Sequence, residues 1–176
     1  MAINETLQTL ITRRSVKKYT NQPVPLELIE AVVEAGPYAP TGMNRQSPII
    51  LAVTNKEVRD QLSRMNAHIL GTTADPFYGA PVVLVVLAKK EVGTRVYDGS
   101  LVMGNLMTAA HSLGLGSCWI HRAKEEFESE EGVELLRSLG LTEEYEGIGH
   151  CILGYAAEGA VKPQTPRKEG YVTWVK

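Results

Sequence analysis

An α+β fold, with one small mixed or antiparallel sheet flanked by helices, is what this 176-residue chain predicts. Three observations carry that expectation. Short apolar or β-branched runs (PIILAVT, PVVLVVLAK, GLGSCWI, YEGIGHCILGYA) interleave with segments of helical period, without the steady alternation of a βαβ protein. The longest apolar run, at 80–88, is too short to cross a bilayer and reads as a buried strand. Residues 97–114 are apolar around nearly the whole helical circumference, as in a helix buried on all sides, in a core or against a partner chain.

The elements follow in order. Ile3, Leu7, Leu10 and Ile11 keep helical spacing behind Asn4, a side chain suited to an N-cap. A second helix opens at VPLELIEAVVEAG. Pro25 suits its first position, Leu28, Ile29, Val32 and Val33 form its apolar face, and Gly36 stands where a C-terminal glycine belongs. PYAPTGMNRQSP is a loop crowded with turn formers. PIILAVT at 48–54 is a strand, KEVRDQLSRMNAHILG a helix, and the segment through YGAP a connector into the strand PVVLVVLAK. The long helix at 97–114 leads through a turn to the strand GLGSCWI. SEEGVELLRSLG then reads as a helix capped by Ser129 with an acidic first turn. YEGIGHCILGYA is a short, glycine-punctuated strand, and the tail from Glu158 onward has no period.

At 44% apolar and 22% charged residues, composition is that of an ordinary globular chain, long enough for a real core and expected to form a single domain over 1–176. A net charge of −2 argues against a nucleic-acid binder. The N-terminal MAINETLQTL lacks the layout of a signal peptide, so no membrane partner is expected. Cys118 and Cys151 show no metal-binding spacing and read as reduced core thiols, which fits a cytoplasmic location.

Against that near-neutral background, ITRRSVKKYT at 11–20 concentrates four cations. Such a run is either a solvated face or a grip on a fixed anion. KPQTPRK, at the far end of the chain, is basic too, and neither segment has an evident packing role. A phosphomonoester would suit guanidinium forks from both ends, with a serine hydroxyl as added donor. Neither a P-loop nor a complete G-x-G-x-x-G occurs; GLGSCW supplies only its first two glycines.

RRSVKKY, APTGMNRQSP some 20 residues on, the long helix ending LGLGSCWI, and HCILGY before a basic tail together resemble the nitroreductase family. The likeness runs over nearly the whole chain, in that order. It implies an intertwined homodimer binding FMN. Arg13 and Ser15 match positions that hold the FMN phosphate and ribityl chain, and Arg14 matches one close by. Lys17 matches a basic position near the flavin's pyrimidine edge. Pro40, Thr41, Met43 and Asn44, with Gln46, match a loop that reaches the flavin from the other subunit. Trp119, Ile120 and His121 match the strand passing beneath the ring, and Arg167 and Lys168 match the tail's phosphate grip; Asn66, on the helix after the first strand, is a further candidate to approach the pyrimidine ring. Two departures stand out. The chain lacks the longer helical insertions of many members, and it has His121 and Arg122 where a glycine or small residue is common.

The resemblance implies a ping-pong oxidoreductase. NADH or NADPH gives hydride to flavin N5, and a small-molecule acceptor such as a nitroaromatic or quinone then takes it. A cation at Lys17 would stabilise the reduced flavin anion. No side-chain acid or base is required, so no catalytic residue is named. His68, His111 and His150 fall on apolar faces and read as structural, while His121 adjoins the flavin strand. Trp174 reads as an anchor for the tail. Two other readings stay open: a flavin-binding or storage protein with little turnover, and a specialised member acting on another substrate.

Overall fold

The computed structural model describes residues 4–176, so the Ile3 position of the first helix lies outside the described residues. The helices are α1 (Glu5–Thr12), α2 (Leu26–Ala35), α3 (Lys56–Leu70), α4 (Arg95–Ser112), α5 (Ala123–Glu128) and α6 (Glu130–Ser138). The strands are β1 (Pro48–Val53), β2 (Val82–Lys89), β3 (Gly116–Ile120) and β4 (Tyr145–Gly154). They form one sheet in the order β1-β2-β4-β3, antiparallel at every junction. Between the two predicted possibilities, mixed or antiparallel, the sheet is antiparallel.

β2 shows why the fold has two apolar layers. Its side chains alternate across the sheet. Val82, Leu84, Val86 and Ala88 face Ile29 and Val32 of α2 and Val102, Met103, Leu106 and Ala110 of α4. Val83, Val85 and Leu87 face Leu62 and Met65 of α3, Phe127 of α5 and Leu136 of α6. A strand covered on both faces can be apolar throughout, which is how PVVLVVLAK reads. Cys118 packs in the second layer and Cys151 in the first, both as free thiols. Burial pushes the Cys151 thiol up to about 12.

Caps formed where their side chains predict them. Asn4 Oδ1 accepts from Leu7 N at 2.9 Å, and Ser129 Oγ accepts from Gly132 N at 3.1 Å. Several details differ from expectation. Pro25 is the N-cap of α2, one position outside the helix. Gly36 closes that helix in a right-handed conformation (φ −59°), so its value is steric: a Cβ there would stand 2.5 Å from Ile50 Cδ1. α5 was not read from the sequence. β4 is long and wholly buried, with a bulge that places Ile148 over Gly99 of α4. His68 is exposed, because it falls on the outer side of the last turn of α3. His150 is fully buried, as expected of a structural histidine.

α4 is covered on one side only. Asp98, Gly99, Val102, Met103, Leu106 and Ala110 are buried, whereas Tyr97 and Leu101 are exposed. The apolar residues of α1, namely Leu7, Leu10 and Ile11, are exposed as well. Among the described residues no helix is long and apolar enough to cross a membrane.

Candidate functional site

The basic run leaves α1 as an extended strap beside β3. Ser15 bridges to Ser117, Val16 N donates to Ser117 O at 3.0 Å, and Thr20 N donates to Tyr155 O at 2.9 Å. Val16 is buried over Gly116, where a Cβ would lie 3.0 Å from the Val16 Cβ. Extended alternation therefore leaves Ser15 and Lys17 exposed on the opposite side. Two of the predicted segments, RRSVKKY and GSCWI, are thus joined by backbone hydrogen bonds.

Arg13 ends α1 as its C-cap residue, and its Nη1 is buried without a hydrogen-bond partner. Ser117 Oγ, on the strand alongside, is also buried and unpartnered. A buried guanidinium nitrogen with no acceptor costs several kcal/mol in principle, and an anion removes that penalty. Arg14 instead donates through Nη1 to Ile11 O at 2.8 Å and Arg13 O at 2.7 Å, closing the end of α1. Thr12 Oγ1 gives its hydrogen to Gln8 O, so His111 Nε2, 2.8 Å away, is the donor to Thr12. Burial, then Arg13 and Arg14, lowers the His111 pKa below its ordinary value, which keeps the ring neutral at neutral pH. Lys17 Nζ lies 5.7 Å from the ring centroid of Tyr78.

The 40–46 loop is built differently. Met43, Asn44 and Gln46 have φ of 55°, 54° and 49°, a left-handed region that a methionine or glutamine seldom enters. Asp98 holds the loop there. Its Oδ1 accepts from Gly42 N at 2.9 Å, and its Oδ2 accepts from Thr94 Oγ1 at 2.8 Å. Gly42 must be glycine because a Cβ would meet Thr94 Oγ1 at 2.6 Å. Thr41 Oγ1 accepts from Gln46 N, and Asn44 Oδ1 accepts from Gln46 Nε2, each at 3.1 Å. Pro40, Met43, Asn44 and Gln46 are exposed.

At the end of β3, Trp119 lies over Gly149, Ile120 points into the core, and His121 is exposed. Asn66 is fully buried. Its Nδ2 donates to His121 O at 2.8 Å and to Glu126, while its Oδ1 accepts from Arg122 Nε at 3.0 Å. Glu126 in turn meets His150 Nε2 at 3.0 Å. Asn66 therefore fixes the chain just after β3 and has its amide engaged on both sides.

The predicted residues fall into three places. Arg13, Ser15 and Lys17 join Trp119, Ile120, His121 and Asn66 around β3. The 40–46 loop sits at the other end of α4: Asp98, which grips the loop, is thirteen positions from His111, which touches Thr12. At about 1.5 Å per residue that is roughly 20 Å. Arg167 and Lys168 lie on the exposed tail, where Lys168 Nζ stands 5.7 Å from the Tyr171 ring centroid. Asp98, Glu126 and Tyr78 were not singled out from the sequence. Asp98 had a signal, being the one acidic residue in a helix otherwise apolar on that face. Glu126, within the acidic stretch KEEFESEEG, had none.

Fold and site together define an α+β protein with a cationic strap laid against an antiparallel sheet. The chain belongs to the nitroreductase family, whose sequence model matches residues 10–76 and 69–155. A Methanothermobacter thermautotrophicus protein provisionally named NADH dehydrogenase/NAD(P)H nitroreductase is 31% identical over 88% of this chain and 78% of its own length. A Bacteroides fragilis nitroreductase crystallised with bound FMN superposes with a TM-score of 0.88 at 32% identity, covering 98% of this chain and 100% of that one. A Desulfitobacterium hafniense nitroreductase, also with bound FMN, gives 0.87 at 28% identity, covering 99% and 100%.

Proposed function

We propose that the protein is an FMN-dependent oxidoreductase that takes hydride from NADH or NADPH and delivers it to a small-molecule acceptor such as a nitroaromatic or quinone. The observation that carries this reading is the orphaned, buried Nη1 of Arg13, at the start of the strap that pairs with β3, where the Ser117 hydroxyl is also buried and unpartnered. That cradle fits a phosphate monoester, the charged end of FMN. Bound FMN supplies the hydride chemistry at its N5, in a ping-pong cycle that asks for no side-chain acid or base.

The chain's own residues hold and orient. Arg13 and Ser15 grip the phosphate end, with Arg14 alongside and Arg167 and Lys168 of the tail completing the grip. Lys17 would serve the pyrimidine edge of the cofactor, where its charge would favour the reduced form. Backbone groups of Trp119, Ile120 and His121 lie beneath the ring, and Asn66 keeps the His121 carbonyl turned inward.

Pro40, Thr41, Met43, Asn44 and Gln46 sit at the opposite end of α4, roughly 20 Å along the helix from the end that meets the strap, which supports their reaching the cofactor from a second copy. On this reading the protein is a homodimer, and the exposed apolar faces of α1 and α4 are what the second copy covers. Residues 1–176 act as a single FMN-binding domain, and the two free buried thiols fit a cytoplasmic location. The test is the purified protein's spectrum and turnover. A bound flavin band, together with NAD(P)H oxidation that depends on an added nitroaromatic or quinone, is expected. A flavin band without turnover across a broad acceptor panel would make it a flavin store instead.

A further inference from the structure

We propose that Arg122 selects the acceptor: its guanidinium binds the carboxylate of an anionic aromatic held over the cofactor. The inference rests on the flavoenzyme reading above and deepens it by naming the substrate class.

Arg122 stands two residues past the end of β3 with φ +78°, a left-handed conformation that favours glycine. The family resemblance places a glycine or small residue there, and the backbone explains why. Keeping an arginine there holds a side-chain-bearing residue in a strained backbone conformation. The structure fixes what the side chain does in return. Arg122 Nε donates to Asn66 Oδ1 at 3.0 Å, and Asn66 is itself held by His121 O and Glu126. Glu126 is held by His150, which packs against Phe77 and Phe127. The guanidinium is thus oriented by a wholly buried chain of side chains, not left to wander in solvent.

Only Nε is used. Among the described residues Nη1 and Nη2 have no hydrogen-bond partner, and no carboxylate pairs with the guanidinium. Glu126, the acid nearest in this network, already has one oxygen on Asn66 and the other on His150. Two N–H-bearing nitrogens therefore remain free on a half-buried fork that is anchored through Nε. That is the geometry that takes a carboxylate bidentately, and pre-orientation reduces the entropy lost on binding. The fork adjoins His121, at the end of the strand that supports the ring in the proposed site.

The test compares the FMN-loaded wild type with Arg122→Gly and Arg122→Lys on a matched pair, nitrobenzene and 4-nitrobenzoate. Each turnover oxidises one NAD(P)H and, with one proton, converts the nitro group to nitroso with loss of water, so both acceptors draw the same reducing equivalents. The readout is the ratio of kcat/KM for 4-nitrobenzoate to that for nitrobenzene. Arg122→Gly should lower that ratio about tenfold or more, chiefly through KM, with Arg122→Lys between the two. Glycine suits the backbone at φ +78°, so this variant keeps its fold. Benzoate, as a dead-end ligand perturbing the flavin spectrum, should bind the wild type and bind Arg122→Gly at least tenfold more weakly. An unchanged ratio overturns the proposal. So does loss of FMN from Arg122→Gly, which would make Arg122 a cofactor ligand. A wild type that turns over with flavin, but whose ratio Arg122→Gly leaves unchanged, defeats only this inference, whereas a wild type with no flavin turnover defeats the flavoenzyme reading and this inference with it.

Discussion

Arg13 and Arg14 are neighbours in sequence and opposites in structure. Arg14 spends its guanidinium on the carbonyls that end α1, while Arg13 keeps a buried nitrogen without a partner. Charge density alone made the cluster visible, but it cannot say which of two adjacent arginines is free; that depends on which one the end of a helix turns toward its own carbonyls. The difference is measurable. A charge-assisted hydrogen bond contributes about 1.5–3 kcal/mol, so Arg13→Gln should weaken FMN binding roughly ten- to a hundredfold in a fluorescence titration. Riboflavin, which lacks the phosphate, should bind wild type and variant alike. Equal losses for both ligands would show that Arg13 supports the fold and not the phosphate. Single polar residues inside the fold were the least legible. Asn66 was anticipated near a ligand edge; that its amide is shared among His121, Arg122 and Glu126 had no signal in the sequence. Nothing in a sequence reveals that an acid from KEEFESEEG lies fully buried against a histidine.

Periodic elements were the most legible. The alternation within β2 and the caps on α1 and α6 are local properties, and local chemistry decided them. α5 was missed because six residues give less than two turns, too few for an apolar period to show. The connector at 71–81 owes its shape to side chains far along the chain from one another. Asp75 accepts from Ser63 Oγ at 2.6 Å, Gly79 N at 2.8 Å, Phe77 N at 2.9 Å, and from the buried Arg59. Burial by itself would raise the Asp75 pKa, but Arg59, Ser63 and the two backbone donors outweigh it and hold the carboxyl below its ordinary value. A folded pKa lowered below the unfolded one adds stability at pH values above the unfolded pKa. That stability is lost as pH falls through the folded pKa. Asp75→Asn should therefore cost about 1–3 kcal/mol in urea unfolding at neutral pH. The gap from wild type should shrink steadily below about pH 4. A gap that stays constant from neutral pH down to about pH 3 would mean that the carboxylate's charge contributes nothing to this turn.

At the scale of the molecule, the sequence pointed to a second copy through its family resemblance and through a helix with more apolar surface than a small sheet can cover. The structure sharpens that argument. α4 buries one face on the sheet, leaves Tyr97 and Leu101 exposed, and holds the two halves of the proposed site at its opposite ends. Strand order contributed nothing to the sequence reading, because antiparallel pairing across long connections is set by packing and not by local pattern. If each cofactor takes Arg13 from one protomer and the 40–46 loop from the other, two broken chains should repair each other. Arg13→Gln damages the cradle. Gly42→Val forces a Cβ onto Thr94 and unseats the loop without touching the strap. Each variant alone should retain almost no FMN as a homodimer. A heterodimer purified through two different tags should hold about one flavin per dimer, because one of its two symmetry-related sites has both intact halves and the other has neither. Were Arg13 and the loop to serve the same site within a single chain, every site in the heterodimer would carry one lesion. The mixed species would then be as empty as its parents.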